Sequence, residues 1–184
     1  MEPANQKGPK KIVVIGPEST GKSTLCEQLA QHYDTLWCPE FAREYLLTHG
    51  MDYSYDDLLY IAKGQAAMED EYAVQARDQQ YLFIDTDMYV MKVWCEFVFS
   101  DCHQWILDQI VHRKYDLYLL CNVDLPWVKD DLREYPDLEN RERLYNIYKD
   151  IMINQSVPWV DISGDTDERF ERAVAAVEQR AIGS

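Results

Sequence analysis

The sequence predicts an α/β fold in which a five-stranded parallel sheet carries helices on both faces. Short apolar runs alternate with longer helical segments along the 184 residues, which is the pattern of parallel β/α units. The run Lys11–Ile15 is short, β-branched and apolar, as expected of a strand buried on both faces. A glycine-containing loop follows it and leads directly into a helix. These observations place the chain among the α/β proteins.

Hydrophobic patterns and stop signals place the individual elements. Strands are predicted at 11–15, 35–38, 81–84, 116–121 and 159–162, and helices at 22–33, 40–48, 56–80, 86–99, 101–113, 138–154 and 165–180. Residues 1–10 are predicted to be a flexible arm before a single domain over 11–184, with a frayed end at Gly183-Ser184. Ligands of a parallel sheet bind beyond the carboxyl ends of its strands. Functional residues are therefore expected just after positions 15, 38, 84, 121 and 162.

Composition argues against several classes of function. The formal net charge is −15, so binding to nucleic acid or to an anionic membrane is not expected. The chain has no apolar stretch near the roughly 18 residues of a membrane span and no signal-peptide pattern, and a cytoplasmic location is predicted. The five cysteines form no C-x-x-C pair, which favours reduced, buried thiols. The oligomeric state stays open, a homo-oligomer included.

The clearest motif is a phosphate-binding loop after the first strand. Gly16-Pro-Glu-Ser-Thr-Gly21-Lys22-Ser23 matches the P-loop pattern G-x-x-x-x-G-K-[ST]. Backbone N–H groups of such a loop and of the following helix N-terminus bind phosphate oxygens. The fold is therefore expected to be that of a P-loop NTPase, with the strand order 2-3-1-4-5 by analogy. ATP contacts are predicted at Gly16, Glu18, Ser19, Thr20, Gly21, Lys22, Ser23 and Thr24, with Lys22 on the β- and γ-phosphates and Ser23 on Mg²⁺.

Carboxylates follow the second and third predicted strands. Asp85 resembles a Walker B carboxylate, which holds Mg²⁺ directly or through water. Asp87 can point the same way or can cap the next helix. Glu40 and Arg43 share a helix face. Glu40 could accept or orient the proton of an attacking hydroxyl while Arg43 holds a phosphate or the substrate, or the two could form a surface ion pair of little stabilising effect.

Basic residues cluster after the fourth strand, around Pro136. In a P-loop kinase this position holds a mobile lid whose arginines close over the ATP phosphates. Arg133 and Arg141 are the candidates, in preference to Arg143. The alternative interpretation is a solvated charged hairpin.

Five segments occur together in one order. They are the P-loop, Glu40-Phe-Ala-Arg43-Glu44, Ile84-Asp-Thr-Asp87, Trp127-Val-Lys-Asp-Asp131-Leu-Arg133 followed by Arg141, and Pro158-Trp-Val-Asp-Ile-Ser163. In this combination residues 11–180 resemble the ribosylnicotinamide kinase domain of NadR-type proteins. The resemblance implies phosphorylation of the 5′-hydroxyl of nicotinamide riboside by ATP to give nicotinamide mononucleotide.

The resemblance also implies roles for individual residues. Lys22 and Ser23 would hold ATP and Mg²⁺, and Asp85 would serve the metal or the nucleophile. Asp87 would bind the substrate ribose, and Glu40 and Arg43 would lie on the substrate side. The remaining two, Arg133 and Arg141, would close over the phosphates. Full-length NadR proteins also carry an adenylyltransferase domain and some carry a helix-turn-helix, and this chain is expected to have neither activity.

Aromatic residues are candidates for binding a cationic nicotinamide ring, because cations are attracted to ring faces. Tyr89, Trp94 and Trp127 are the candidate walls of that pocket. Each can also be read as an ordinary packing residue.

Three other functions remain open at this point. A regulatory GTPase shares the P-loop, but guanine recognition normally uses Asn-Lys-x-Asp where this chain has Cys121-Asn122-Val123-Asp124. A kinase for another nucleoside or a vitamin alcohol would keep the chemistry and change the substrate. A non-catalytic nucleotide-binding module would bind ATP without riboside-dependent turnover.

Overall fold

A single parallel sheet organises residues 8–182, the part of the chain that the computed structural model describes. Its strands are β1 (Lys10–Ile15), β2 (Trp37–Cys38), β3 (Tyr81–Asp85), β4 (Leu117–Cys121) and β5 (Trp159–Ile162). All pairings are parallel and the order is β2-β3-β1-β4-β5, which confirms the predicted order. Val14 pairs with Asp85, and Ile15 pairs with Leu120. The carboxyl ends of the three central strands therefore meet at one edge.

Seven helices connect and cover the strands of the described chain. They are α1 (Lys22–His32), α2 (Phe41–His49), α3 (Tyr55–Gln75), α4 (Met88–Phe99), α5 (Gln104–His112), α6 (Leu138–Asn154) and α7 (Thr166–Ile182). The predicted bounds of α6 and β5 are confirmed to the residue. Ser54 begins α3 with a capping box, because its hydroxyl accepts the N–H of Asp57 while the Asp57 carboxylate accepts the N–H of Ser54.

The alternating side chains of β1 separate the two faces of the sheet. Ile12 and Val14 pack with buried residues of α1 and α7, including Leu29. Val13 and Ile15 pack on the opposite face with α4 and α6. These four of the six β1 side chains are essentially inaccessible to solvent, so this part of β1 is buried on both faces, as its sequence predicted.

A third apolar cluster joins α2, α3, α4 and α5 beside the sheet. It explains the single glycine inside α3, because a Cβ at Gly64 would overlap the ring of Phe41. Helix α3 therefore continues through Gly64. It ends at Gln75 and not at the predicted Gln80, since residues 77–80 form the turn that leads into β3.

Two predictions concern the termini, of which the structure describes only a part. Residues 1–7 of the predicted arm and the predicted frayed end at Gly183-Ser184 lie outside the described residues. Within the described part of the arm, Lys10 already belongs to β1. Across the described helices, none combines the length and the apolar character needed to cross a bilayer.

Candidate active site

The loop between β1 and α1 adopts a conformation that only its glycines make easy. Gly16 has a φ of 142° and a Cβ there would lie 2.7 Å from the carbonyl oxygen of Cys121. Gly21, at φ 78°, turns the chain into α1. Both values lie in the region that side chains disfavour. The loop therefore passes close to the end of β4 and directs the N-terminus of α1 into the space above the sheet, where backbone N–H groups and the helix dipole attract anions.

Side chains of the loop make contacts within it and with the chain after β4. The Lys22 Nζ donates to the carbonyl oxygen of Pro17 at 2.9 Å, and the Thr20 hydroxyl donates to the same oxygen at 2.7 Å. The Glu18 carboxylate accepts the backbone N–H groups of Glu134 and Tyr135. Six of the eight predicted ATP-contact residues lie between the two glycines or just beyond them, and all eight line the cavity described below.

Asp85 lies against the start of α1. Its carboxylate accepts a hydrogen bond from the Ser23 hydroxyl at 2.5 Å, and the side chain is buried. Thr86, the next residue, has a φ of 80°, which is rare for a β-branched residue and is found mainly at functional sites. Burial raises the pKa of Asp85, while Lys22 and the Ser23 hydrogen bond act in the opposite direction.

The Ser23 and Asp85 oxygens fit the donor set of Mg²⁺. This ion takes oxygen ligands, keeps several waters and is held in phosphate sites by one or two protein groups. No cluster of three or more acidic, His or Cys side chains suited to a metal exists within residues 8–182. A hydroxyl and one carboxylate beside a phosphate loop are what a metal bound jointly with a nucleotide requires.

A cavity of about 500 Å³ extends from the P-loop to an apolar region between α2, α4 and α6. Its apolar end is lined by Trp37, Ala42, Leu46, Met51, Val90, Val93, Trp94, Phe97, Val98, Leu144 and Tyr148. Glu40 also lines the cavity, and its carboxyl group interacts electrostatically with Asp85 and Lys22 at the phosphate end and with Arg43 of α2. The volume is in the range of small-molecule sites. One end of the cavity is thus suited to phosphate and the other to an apolar ring.

Among the carboxyl groups that line this cavity, Glu40 has the most strongly shifted pKa. It precedes α2, but within the described chain its side chain makes no capping hydrogen bond. Desolvation, followed by the negative charge of Asp85, raises the pKa of Glu40 to about 7, although Lys22 and Arg43 oppose this shift. A carboxyl group that titrates near neutral pH is suited to exchanging protons with a substrate.

Residues 128–137, here called the lid segment, lie over the P-loop and against α2. The backbone N–H of Val128 donates to the Ser19 hydroxyl oxygen at 2.9 Å. The Arg43 guanidinium donates to the Asp130 carboxylate at 3.0 Å. Together with the two bonds to Glu18, these contacts bring Asp130, Arg133 and Glu134 to the edge of the cavity. The lid segment therefore contacts both the phosphate end and the opposite wall.

Sequence comparison decides the family. The AAA_28 family, described as an AAA domain, matches residues 11–169 of the chain. The chain belongs to AAA_28.

Two curated relatives of this AAA_28 chain are the trifunctional NAD biosynthesis/regulator proteins NadR of Salmonella typhimurium (strain LT2) and Escherichia coli (strain K12). Each is 30% identical over 175 residues, which are 92% of this chain and 42% of the relative. The chain therefore spans less than half the length of these relatives. The similarity confirms the resemblance to the NadR-type kinase domain that the motifs indicated.

Solved structures show the same fold. A NadR protein in complex with NR has a TM-score of 0.81 at 22% identity, over 95% of this chain and 50% of that one. Thymidylate kinase from Ehrlichia chaffeensis has a TM-score of 0.66 at 15% identity, over 92% of this chain and 99% of that one. The AAA_28 chain thus has a P-loop kinase fold, as its sequence predicted.

The structure places three predicted substrate residues away from the cavity lining of the AAA_28 domain. Asp87 is buried, caps α4 through the N–H groups of Tyr89 and Val90, and accepts a hydrogen bond from the Tyr118 hydroxyl at 2.7 Å. Tyr89 contacts the Tyr118 ring edge-on. Trp127 has a buried indole nitrogen that finds no partner in the described chain. Trp94, Arg43 and Glu40 do line the cavity, so the geometry brings together one half of the predicted set.

The two predicted lid arginines occupy different environments. Arg133 lines the cavity and donates to the carbonyl oxygen of Val128 in its own segment. Arg141 is 3% exposed and donates to the carbonyl oxygens of Ser19 and Leu125. Arg141 therefore packs against the P-loop of the AAA_28 domain, whereas Arg133 lies in the cavity lining.

Sequence reasoning missed Arg169, which supports the P-loop from α7. Its buried guanidinium donates to the carbonyl oxygens of Thr20, Asn122 and Gly164 at 2.8–2.9 Å and pairs with Asp124. These partners come from three loops of the AAA_28 domain. In the sequence, Arg169 is an arginine in the first turn of a helix that begins with acidic residues. This pattern does not by itself indicate that the arginine is buried.

Proposed function

We propose that this chain is a magnesium-dependent ATP kinase that phosphorylates the 5′-hydroxyl of nicotinamide riboside and forms nicotinamide mononucleotide. The observation that carries the proposal is the cavity that is lined both by the P-loop and by aromatic and apolar side chains, and that includes Glu40, whose carboxyl group interacts with Lys22 and Asp85. A phosphate donor and a nucleoside-sized acceptor would meet at Glu40. The similarity to NadR, including a NadR structure that holds NR, supports this choice of acceptor.

The phosphate end supplies positive charge and positioning. Lys22 and Arg133 would contact the ATP phosphates, together with the N–H groups of the loop and of α1. Ser23 and Asp85 would hold Mg²⁺, which when bound neutralises charge on the β- and γ-phosphates. Arg141 would keep the loop in place through the Ser19 carbonyl oxygen.

Glu40 is the proposed general base. As the oxygen of the 5′-hydroxyl forms its bond to the γ-phosphorus, the bond from that phosphorus to the bridging oxygen of ATP breaks and ADP leaves. The hydroxyl proton passes to the Glu40 carboxylate. Asp85 is less suited to this task because its carboxylate is engaged by Ser23, whereas the Glu40 pKa of about 7 allows it to be unprotonated at neutral pH.

Of the three aromatic residues predicted to contact the nicotinamide ring, Trp94 is the one that lines the cavity, whereas Tyr89 and Trp127 do not. Asp87 would act by holding the start of α4, and hence Trp94, through its two N–H contacts. Arg43, which lines the same cavity from α2, would contact the acceptor.

The GTPase alternative gains no support from the region after β4. Asp124 accepts hydrogen bonds from Arg169 and from the N–H of Gly164 at 2.6 Å, and Asn122 donates to Asp161. These side chains connect the loop after β4 to the segments at the end of β5 and the start of α7. A carboxylate with these hydrogen-bond partners is poorly placed to bind a guanine base.

The deciding experiment is ADP release with nicotinamide riboside against a panel of other nucleosides and thiamine. The proposal expects turnover confined to nicotinamide riboside. Turnover on another panel member would retain the kinase and discard this acceptor. Nucleotide binding without turnover on any acceptor would favour a binding module. The predicted cytoplasmic location agrees with five free cysteines and stays a prediction.

A further inference from the structure

The apolar end of the cavity carries a carboxylate whose hydrogen-bond partners are neutral. Glu134, in the lid segment, lines the cavity and is solvent-exposed on its outer side. Both of its carboxylate oxygens accept hydrogen bonds from the Tyr53 hydroxyl, at 2.9 and 3.0 Å. Tyr53 also accepts a hydrogen bond from the Trp94 indole at 2.9 Å. The carboxylate is thus connected to the cavity wall by a chain of two aromatic side chains.

The positive side chains near this carboxylate are engaged elsewhere. Arg43 is paired with Asp130, and Arg133 donates to the carbonyl oxygen of Val128. Lys22 lies at the phosphate end and contacts Pro17. Within residues 8–182, Glu134 forms no ion pair. The Glu134 carboxylate is therefore available to a cationic ligand without first breaking a salt bridge, although Arg133, bonded to a neutral carbonyl oxygen, keeps its charge in the same cavity.

The walls beside Glu134 are aromatic. Tyr53 and Trp94 are in an edge-to-face contact with ring centroids 5.1 Å apart, and Phe97 and Tyr135 make a second such contact at 5.2 Å. Ring faces attract cations, and an adjacent carboxylate adds to this attraction. A neutral ring would be stabilised only by its contacts with the apolar walls of the cavity.

We infer that Glu134, positioned by Tyr53 and Trp94, selects acceptors whose base is a cationic aromatic ring. This inference rests on the proposed function and extends it, because nicotinamide riboside carries a positively charged pyridinium. The lid segment that carries Glu134 also contacts the P-loop through Glu18. The contacts that hold the lid segment on the P-loop therefore also keep the selecting carboxylate in the cavity lining.

The test compares two small ligands that differ mainly in charge, 1-methylnicotinamide, a permanent cation, and neutral nicotinamide. Binding is measured by ligand-observed NMR and calorimetry in the presence of Mg²⁺ and AMP-PNP. The wild-type protein is expected to prefer the cation by about tenfold, as for a ring cation beside aromatic faces and a carboxylate. Glu134→Gln should bring the ratio near one.

Two further variants sharpen the test. Glu139→Gln removes the same charge from an exposed position that does not line the cavity, and it should keep the wild-type ratio. Tyr53→Phe removes the hydroxyl that holds Glu134 and should give an intermediate ratio. A Tyr53→Phe ratio equal to that of the wild type would contradict the positioning role of Tyr53.

The inference is overturned if the wild type shows no preference, failure to bind either ligand included, or if Glu134→Gln keeps the preference. Turnover of nicotinamide riboside by the wild type is measured in parallel. A lost preference in Glu134→Gln without any wild-type turnover would retain the selector and discard the proposed function. If the wild type turns over nicotinamide riboside and Glu134→Gln keeps the preference, the proposed function is retained and the role of Glu134 as selector is discarded.

Discussion

The two ends of the cavity are built from different kinds of contact. The phosphate end consists of contiguous residues, Gly16–Ser23, and of Asp85, whose register against Val14 is fixed by the pairing of β1 and β3. The apolar end is closed by contacts between distant segments, such as Arg43 with Asp130 and Tyr53 with Glu134. The backbone of the phosphate end is therefore fixed mainly by the buried sheet, although Ser19 and Glu18 also contact the lid segment, whereas the contacts that close the apolar end depend on where the lid segment lies.

This difference has a consequence for mutations. At the phosphate end, the backbone should keep its conformation when a single side chain is removed. Loss of that side chain should therefore lower activity more than it lowers the free energy of unfolding. Contacts at the apolar end are partly exposed, so each contributes little by itself. The predictions below test this contrast from the largest expected effect to the smallest.

Lys22→Ala should give the largest loss of activity. Removal of one charged group aimed at the transferring phosphoryl is expected to lower kcat by about 1000-fold. Within the described chain, the Lys22 side chain donates one hydrogen bond, to the Pro17 carbonyl oxygen. Its removal should therefore change the free energy of unfolding by less than about 1 kcal/mol. Steady-state ADP release and thermal unfolding measure the two effects. Near-normal turnover would refute the assignment of Lys22.

Glu40→Gln should lower kcat by about 100-fold, the typical contribution of a general base. In the wild type, log kcat/KM should rise with pH and level off above about 7, because the base acts only when unprotonated and its pKa is raised to about 7. The variant should lose this rise.

The control for Glu40 is Glu44→Gln, which removes an exposed carboxylate one turn later in α2. It should keep the wild-type pH profile. A profile in Glu40→Gln that still rises through pH 7 would show that another group accepts the proton.

The contrast between the two ends also explains what the sequence could predict. The P-loop, the Asp85 position and the strand order follow from local patterns, because a strand–loop–helix unit determines its own phosphate site. The bounds of α6 and β5 were also predictable, since Asp137 and Gln155 flank α6 while Pro158 and Ser163 flank β5. Helix α3 was predicted five residues too long, because Arg77 and the glutamines after it are compatible with a helix and the start of β3 is set by pairing with β1.

The other residues could not be found in the same way. Glu134 and Tyr53 are 81 positions apart, and only the folded chain brings them together. Arg169 contacts Thr20 and Asn122, which are 149 and 47 positions away, and no local pattern around Arg169 indicates these contacts. The sequence allowed two interpretations of Asp87. It could be a functional carboxylate at the end of a buried strand, or it could cap the helix that follows. The structure shows the cap, and the predicted contact with the substrate ribose stays a prediction.

Arg169→Lys tests whether the frame around the P-loop matters for nucleotide binding. Lysine keeps the charge but cannot reach the carbonyl oxygens of Thr20, Asn122 and Gly164 together. We expect a loss of about 2 kcal/mol in the free energy of unfolding and a rise of about tenfold in KM for ATP. Arg172→Lys, in an exposed position on the same helix, should change neither quantity. A normal KM for ATP in a destabilised Arg169→Lys would limit Arg169 to a structural role.

The exposed pair between Arg43 and Asp130 should give the smallest effect. Its side chains are 55% and 22% exposed, so the coupling between them should contribute less than about 1 kcal/mol to stability. Arg43→Ala should raise KM for the acceptor about threefold and leave KM for ATP unchanged, because it contacts the lid segment from the acceptor side. Asp130→Asn and the double variant should have similar effects, as expected for one shared contact. If the double variant were instead additive, Arg43 would bind the acceptor directly, and the apolar end would be less dependent on the lid than the contacts indicate.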